Sequence, residues 1–134
     1  MTIYLFDASS IIACIELIGE NAINMLKNQY TINLSYYEIG NFLWKQYLKS
    51  RCTLEKLKFY LNLFKNLLNK MYVLNIELMN EVLELAAKLK LTYYDAAYVY
   101  AAWKLNAMLI TEDLELYEKA KSIVKVHRID EIAK

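Results

Sequence analysis

With 134 residues, sixteen basic and fifteen acidic side chains and a formal net charge of +1, the chain is sized for a single domain over 1–134, and its overall charge argues neither for nor against a polyanionic partner. The 57% apolar content owes much to twelve tyrosines, and the longest uninterrupted apolar run, Ala96 to Trp103, falls far short of the ~20 residues that cross a bilayer, so no membrane role is expected. The opening MTIYLFDASS has no basic region and breaks its first apolar run at Asp7, which excludes an ordinary secretory signal and points to a cytoplasmic protein.

In chain order, a short β-type run at Ile3 to Phe6 is followed by Asp7 and then by one or two short helices between Ala8 and Gln29. A second strand is expected at Thr31 to Leu34 and a helix at Tyr37 to Lys49. TLEKLKFYLNLFKNLLNK is the clearest helix: Thr53 would cap it, and Leu54, Leu57, Leu61, Phe64 and Leu68 recur at three- and four-residue steps as one apolar stripe. Beyond it come a strand at Tyr72 to Ile76, helices at Glu77 to Lys90 and Asp95 to Asn106, a strand at Ala107 to Thr111, a helix at Leu114 to Ser122 and a last strand at Ile123 to His127. Such alternation reads as a parallel sheet with helices on both faces, because parallel strands need long crossovers. Cys14 and Cys52 have no CxxC partner and only His127 elsewhere, so they are expected as buried small apolar side chains rather than as zinc ligands or a disulfide.

The acids fall in a pattern. Asp7 follows the first strand and Asp113 follows the fourth after Thr111 and Glu112, which puts both at carboxyl ends, where ligands bind in open α/β sheets. Glu38 comes four residues after the second strand. Asp95 begins a helix of about twelve residues that runs antiparallel to a five-residue strand of about the same length, so its start lies level with that strand's end. Capping alone could explain Ser35 with Glu38 and Thr92 with Asp95, and the helix dipole favours an acid near any helix start. Capping does not require that four acids share one edge, with Ser9, Asn41 and Thr111 at offsets that allow hydrogen bonds to them. Carboxylates so gathered repel unless protonated or bound to a hard cation, and oxygen donors without Cys or His favour Mg²⁺ or Mn²⁺ over zinc.

FDASS after the first strand, YYEIGN after the second, TYYDAAYVYAA before the fourth and LITED after it resemble the PIN-domain ribonucleases, especially the VapC-like toxins of toxin–antitoxin pairs. The match spans nearly the whole chain. By that resemblance Asp7, Glu38, Asp95 and Asp113 form the acidic quartet, Ser9 and Thr111 are the small polar residues beside it, and Asn41 is the polar residue three after the glutamate. Where the TxDxD form carries a further aspartate, this sequence has Glu115, and Glu112 is taken as a solvated neighbour. The resemblance implies a three-layer α/β/α fold with a five-stranded parallel sheet, and Mg²⁺- or Mn²⁺-dependent cleavage of RNA. It also implies a homodimer and a cognate antitoxin that blocks the active-site groove.

Between Lys45 and Lys70 seven basic residues face only Glu55, a local charge of +6 that leaves −5 for the rest of the chain. Lys45, Lys49 and Arg51 could track RNA phosphates, or the lysines could form an ordinary solvated helix face. Tyr36 and Tyr93, each two residues before an acid, are candidates for stacking on unpaired bases, with core packing as the alternative. His127 alone rules out a His-pair ribonuclease. Two other readings compete: a non-catalytic PIN-like module for RNA or protein binding, and an aspartyl-nucleophile phosphatase or receiver. The complete quartet opposes the first. Ser9 in place of a second aspartate, and Asp7 standing alone after its strand, oppose the second.

Overall fold

The computed structural model describes residues 2–77 and 79–133. Five strands, β1 (Tyr4–Phe6), β2 (Tyr30–Ile32), β3 (Tyr72–Leu74), β4 (Met108–Ile110) and β5 (Val126–His127), form one sheet in the order β3-β2-β1-β4-β5. Every pairing is parallel. The order reverses at β1, whose neighbours lead away in opposite directions, so the crevice of the sheet opens at the carboxyl end of that strand.

Helices cover both faces, as expected of a three-layer α/β/α fold. On one side lie α1 (Ala8–Ile18), α2 (Ala22–Leu26), α3 (Leu34–Leu48), α4 (Leu54–Leu68) and the short α8 (Ile129–Ile132). On the other lie α5 (Met79–Leu89), α6 (Tyr93–Leu105) and α7 (Leu114–Ala120). The two-residue period of a strand assigns the central side chains: Leu5 and Leu109 enter the α5–α6–α7 core, whereas Phe6 and Ile110 enter the α1–α4 core. Helix α6 buries all seven residues from Ala96 to Ala102, which explains its lack of a polar face.

Several boundaries differ from the sequence expectation. Helix α3 starts at Leu34 rather than Tyr37, so Ser35 lies inside it and is no cap. The Asn33 side chain does not cap α3 either; it accepts from Ile76 N at 3.3 Å. The helix expected at Glu77 to Lys90 begins at Met79, with Leu78 outside the described residues. β5 keeps only Val126 and His127, because the chain before it turns, with Ile123 N donating to Ala120 O at 2.9 Å. The capped start of α4 is as read, Thr53 accepting from Lys56 N at 3.2 Å. Its stripe is only partly used: Leu57, Phe64 and Leu68 are buried, but Leu54 and Leu61 stay exposed beside Trp44 and Tyr47 in a shallow groove of about 190 Å³ against α3. Cys14 is buried and Cys52 half-buried, both as free thiols.

The stretch Ala8–Leu26, 19 residues, is long and apolar enough by length and composition to cross a membrane, which the count of uninterrupted apolar residues did not show. It is broken by a 3-10 turn at Gly19–Asn21, where Gly19 takes φ +55. Ile11, Cys14, Ala22 and Leu26 pack into the core from it.

Leu109 sits in the central strand with no exposed surface, so Leu109→Ala should lower the unfolding free energy in urea by about 2–5 kcal/mol. Leu54→Ala on the open groove should change it by less than about 0.5 kcal/mol.

Candidate active site

The register of the central strands builds the first part of the site. Phe6 pairs with Ile110, so Asp7 and Thr111 are the next residues on adjacent strands, and the Thr111 hydroxyl donates to Asp7 Oδ2. Asp7 also caps α1: its Oδ1 accepts from Ser10 N at 2.9 Å and from Ser9 Oγ at 2.7 Å. Ser9 Oγ in turn accepts from Glu112 N at 3.0 Å, and Thr111 Oγ1 from Asp113 N at 3.1 Å. One buried carboxylate thus fixes the loop after β4, and with it Asp113, which caps α7 by accepting from Leu116 N at 3.0 Å.

Asp95 occupies the first turn of α6, where Thr92, not Asp95, is the cap: Thr92 Oγ1 accepts from Asp95 N at 3.1 Å. The Asp95 carboxylate is therefore free of capping duty. Glu38, one turn into α3, accepts from the Tyr98 phenol at 2.7 Å. Tyr98 lies three residues after Asp95, on the same side of α6.

Asp95 stands where the charges of Asp7 and Asp113 reach it, and its own charge reaches Glu38. Burial pushes the Asp7 carboxyl from 3.8 up to about 6, against the hydrogen bonds from Thr111, Ser9 and Ser10 that pull it down. Asp95 is likewise raised to about 6, first by burial and then by the charges of Asp113 and Asp7, with Glu115 adding to them and the Thr92 contact opposing. Glu38 is raised by burial, lowered by Tyr98 and raised again by the Asp95 charge. Among the described residues none of the four is ion-paired.

These residues offer only oxygen donors, they repel one another and they have no protein counter-charge, a combination that suits a hard divalent cation. They do not form a closed cage. Among the described residues no three acidic, histidine or cysteine side chains stand close enough to hold an ion as they are. Among the described residues the Asp95 carboxylate accepts no hydrogen bond and Asp113 and Glu38 accept one each, whereas both Asp7 oxygens already accept from the protein.

The other expected site residues separate into two groups. Ser9 and Thr111 are joined to Asp7, but Asn41 is exposed and makes no side-chain hydrogen bond among the described residues. Tyr36 is 39% exposed beside Glu38, and Tyr93 is half-buried against the α5–α6 core. Lys45, Lys49 and Arg51 are exposed, but α3 runs away from the acidic edge. At ~1.5 Å per residue Lys49 lies some 16 Å along the axis from Glu38. Glu115 pairs with Lys119 at 3.4 Å.

Glu112 is not a solvated neighbour. Its carboxylate accepts from Ile129 N at 2.9 Å and from Arg128 at 3.3 Å, closing α8 onto the loop after β4. His127 faces Glu131 at 3.3 Å, away from a catalytic role. Sequence reasoning also missed Tyr98. Its position three after Asp95 was the available signal, masked by an apolar helix in which every side chain reads as core.

No family model matches the chain. Two curated proteins of Pyrobaculum aerophilum do: Exonuclease VapC9 is 32% identical over 126 residues, covering 94% of this chain and 92% of that protein, and Ribonuclease VapC3 is 33% identical over 110 residues, covering 79% and 82%. The crystal structure of PAE2754 from the same organism superposes with a TM-score of 0.82 at 30% identity, over 98% of this chain and 86% of that one. The fold is shared as well with VapBC2 from Rickettsia felis bound to a DNA fragment from their promoter, at TM-score 0.65 and 17% identity over 95% and 98% of the two chains.

The raised acids give a signed pH dependence. Asp95 binds its proton more tightly folded than unfolded, so without added metal its charge weighs against the fold increasingly as pH rises from about 4 to about 6, and fully above that range. Asp95→Asn removes that penalty. The stability of the variant minus that of the parent, measured by urea unfolding in chelator, should be more positive at pH 8 than at pH 4.5; an equal difference at both would show that Asp95 titrates normally.

Proposed function

The chain belongs to the VapC family, and we propose that it is a ribonuclease that hydrolyses RNA phosphodiester bonds with Mg²⁺ or Mn²⁺ held at the acidic edge, acting as the toxin of a toxin–antitoxin pair. The observation that carries this reading is the set of four carboxylates, without protein counter-ions among the described residues, at the carboxyl edge where strand order reverses, two of them raised to about 6. Both curated relatives bear nuclease names, one as an exonuclease and one as a ribonuclease. Phosphodiester hydrolysis is the chemistry common to the two.

A divalent cation bound there would lower the pKa of a coordinated water and offset charge on the phosphate. Asp7, Asp95, Asp113 and Glu38 would hold it. Ser9 and Thr111 keep Asp7 in one rotamer, so that carboxylate needs little reordering on binding. Asp95 and Asp113 begin their respective helices, where backbone N–H dipoles face the same edge and favour negative charge. With His127 engaged by Glu131, a carboxylate is the base available to orient the attacking water.

RNA would approach along an open surface; a depression of about 690 Å³ lined by Thr2, Trp103, Lys121 and Lys125 lies at the opposite, amino end of the strands and away from the acids. Tyr36, Tyr37 and Tyr94 are exposed aromatics within two residues of Glu38 or Asp95. Lys45, Lys49 and Arg51 would serve only a substrate long enough to follow α3. The likeness to a VapBC assembly supports a cognate antitoxin partner. Exposed Tyr37, Trp44, Tyr47 and Leu48 on α3, with Leu54 and Phe59 on α4, supply apolar area for that partner or for a homodimer.

Mn²⁺ should raise the melting temperature, because binding to the native site alone stabilises it by about 2.7 kcal/mol at a hundred times Kd. Asp95→Asn should abolish that shift and cut RNA cleavage by at least about 100-fold while Thr92 still caps α6. Retained cleavage in that variant, or metal-independent cleavage by the parent, would overturn the reading.

A further inference from the structure

Tyr98 is a buried phenol with 1% of its surface exposed, in a helix whose neighbouring positions Ala96, Ala97, Val99, Ala101 and Ala102 are all apolar. Packing there would be served by phenylalanine. A buried tyrosine hydroxyl must instead find a partner, and this one donates to Glu38 Oε1 at 2.7 Å and lies 3.0 Å from Ser35 Oγ. Ser35, fully buried, lies 2.6 Å from Thr31 Oγ1, and Thr31, also fully buried, donates to the carbonyl of Phe6 at 2.7 Å. That carbonyl belongs to the peptide bond that carries Asp7.

A hydroxyl has one proton to give. Thr31 gives its proton to Phe6 O, so Ser35 donates to Thr31, and the phenol proton goes to Glu38, which leaves Ser35 and Tyr98 as close neighbours at 3.0 Å with no proton between them. The donors therefore run outward from that contact, to Glu38 on one side and through Thr31 to the Phe6 carbonyl on the other. The phenol fixes Glu38 relative to the helix that presents Asp95, while Ser35 and Thr31 tie α3 to the strand that presents Asp7.

We propose that Tyr98 is a positioning residue: its phenol, buried in α6 and seated against Ser35, donates to Glu38 and holds that carboxylate in one orientation at the acidic edge, where it would help to hold a cation. This rests on the reading of Glu38 as a member of the active edge. Glu38 on its own is half-buried and reaches from a helix with no cation to anchor it. Without the phenol its side chain has no other hydrogen-bond partner among the described residues.

The test is Tyr98→Phe in the whole chain, with Tyr100→Phe, another buried tyrosine of the same helix, as control. Tyr98→Phe should raise the Kd for Mn²⁺, measured by electron paramagnetic resonance, and lower kcat, each by about 10- to 100-fold as for the loss of an outer-shell partner, with KM for RNA unchanged. Ser35→Ala, which removes the hydroxyl that the phenol rests against and the tie from α3 to Thr31, should give a smaller change of the same kind. In a Glu38→Gln background Tyr98→Phe should alter Mn²⁺ affinity less than about twofold, since a residue that acts through Glu38 has nothing left to position. Equal losses in Tyr100→Phe, or an unchanged Mn²⁺ Kd and kcat in a folded Tyr98→Phe, would overturn the proposal. Where Tyr98→Phe does not fold, Ser35→Ala decides on the same readouts. A parent protein that neither binds Mn²⁺ nor cleaves RNA would refute the proposed function instead. The positioning claim is then read in metal-free protein from ¹³C relaxation of the Glu38 carboxyl, which should show greater mobility in Tyr98→Phe than in parent or Tyr100→Phe; no difference overturns it.

Discussion

A carboxylate with 4% of its surface exposed and, among the described residues, no counter-ion, Asp7, is the group around which the acidic edge is arranged. A buried charge of that kind is tolerated only when its lone pairs are occupied. Three donors do so, and each is delivered by a different feature of the fold: Ser10 N by the first turn of α1, Ser9 Oγ by the residue between, and Thr111 Oγ1 by the β1–β4 register. A slip of one residue in that register would send Thr111 to the opposite face of the sheet and leave Asp7 short of a donor. The alternation that sends Leu5 and Leu109 one way and Phe6 and Ile110 the other is therefore also what aims the site.

The same burial sets a conflict between stability and function. Desolvation raises Asp7, and desolvation together with the charges of Asp113 and Asp7 raises Asp95, each to about 6. An apolar or amide replacement would relieve the fold, yet the sequence keeps four acids together. Such local strain is the ordinary mark of a site shaped for a ligand rather than for the stability of the free chain. The surrounding hydroxyls, Ser9, Ser35, Thr31, Thr111 and Tyr98, soften the conflict without adding charge, because each donates to or braces an oxygen while leaving the net negative potential in place.

Much of this was legible in the sequence, and the parts that were not share a cause. The alternation of strands and helices, the parallel sheet and the arrival of Asp7, Glu38, Asp95 and Asp113 at one edge follow from local patterns, which periodicity and chain direction report directly. Ser35 reads as a cap because a hydroxyl three residues before an acid looks like a capping box, and only the folded contacts show that its hydroxyl is engaged with Thr31 and lies against Tyr98. Glu112 reads as solvated because its partners, Arg128 and Ile129 N, lie 16 and 17 residues on. Helix α8, four residues long, is too short to show a period. Tyr98 was hidden by an all-apolar helix, whose moment points nowhere and so gives no hint of which side meets the site.

That last case bears on how α6 works. A helix buried on every side cannot be oriented by an apolar stripe, so its rotation about its axis must be set by something else. Small residues, Ala96, Ala97, Ala101 and Ala102, let it approach the sheet closely but leave the rotation poorly determined. The polar contacts at its start supply the missing constraint. Thr92 caps the first turn, and the Tyr98 phenol donates to Glu38 and rests against Ser35 on α3. Because Asp95 and Tyr98 share one side of the helix, the bond that seats α6 in the core also turns Asp95 toward Asp7 and Asp113. The packing of this helix and the aim of its carboxylate are thus one problem with one solution.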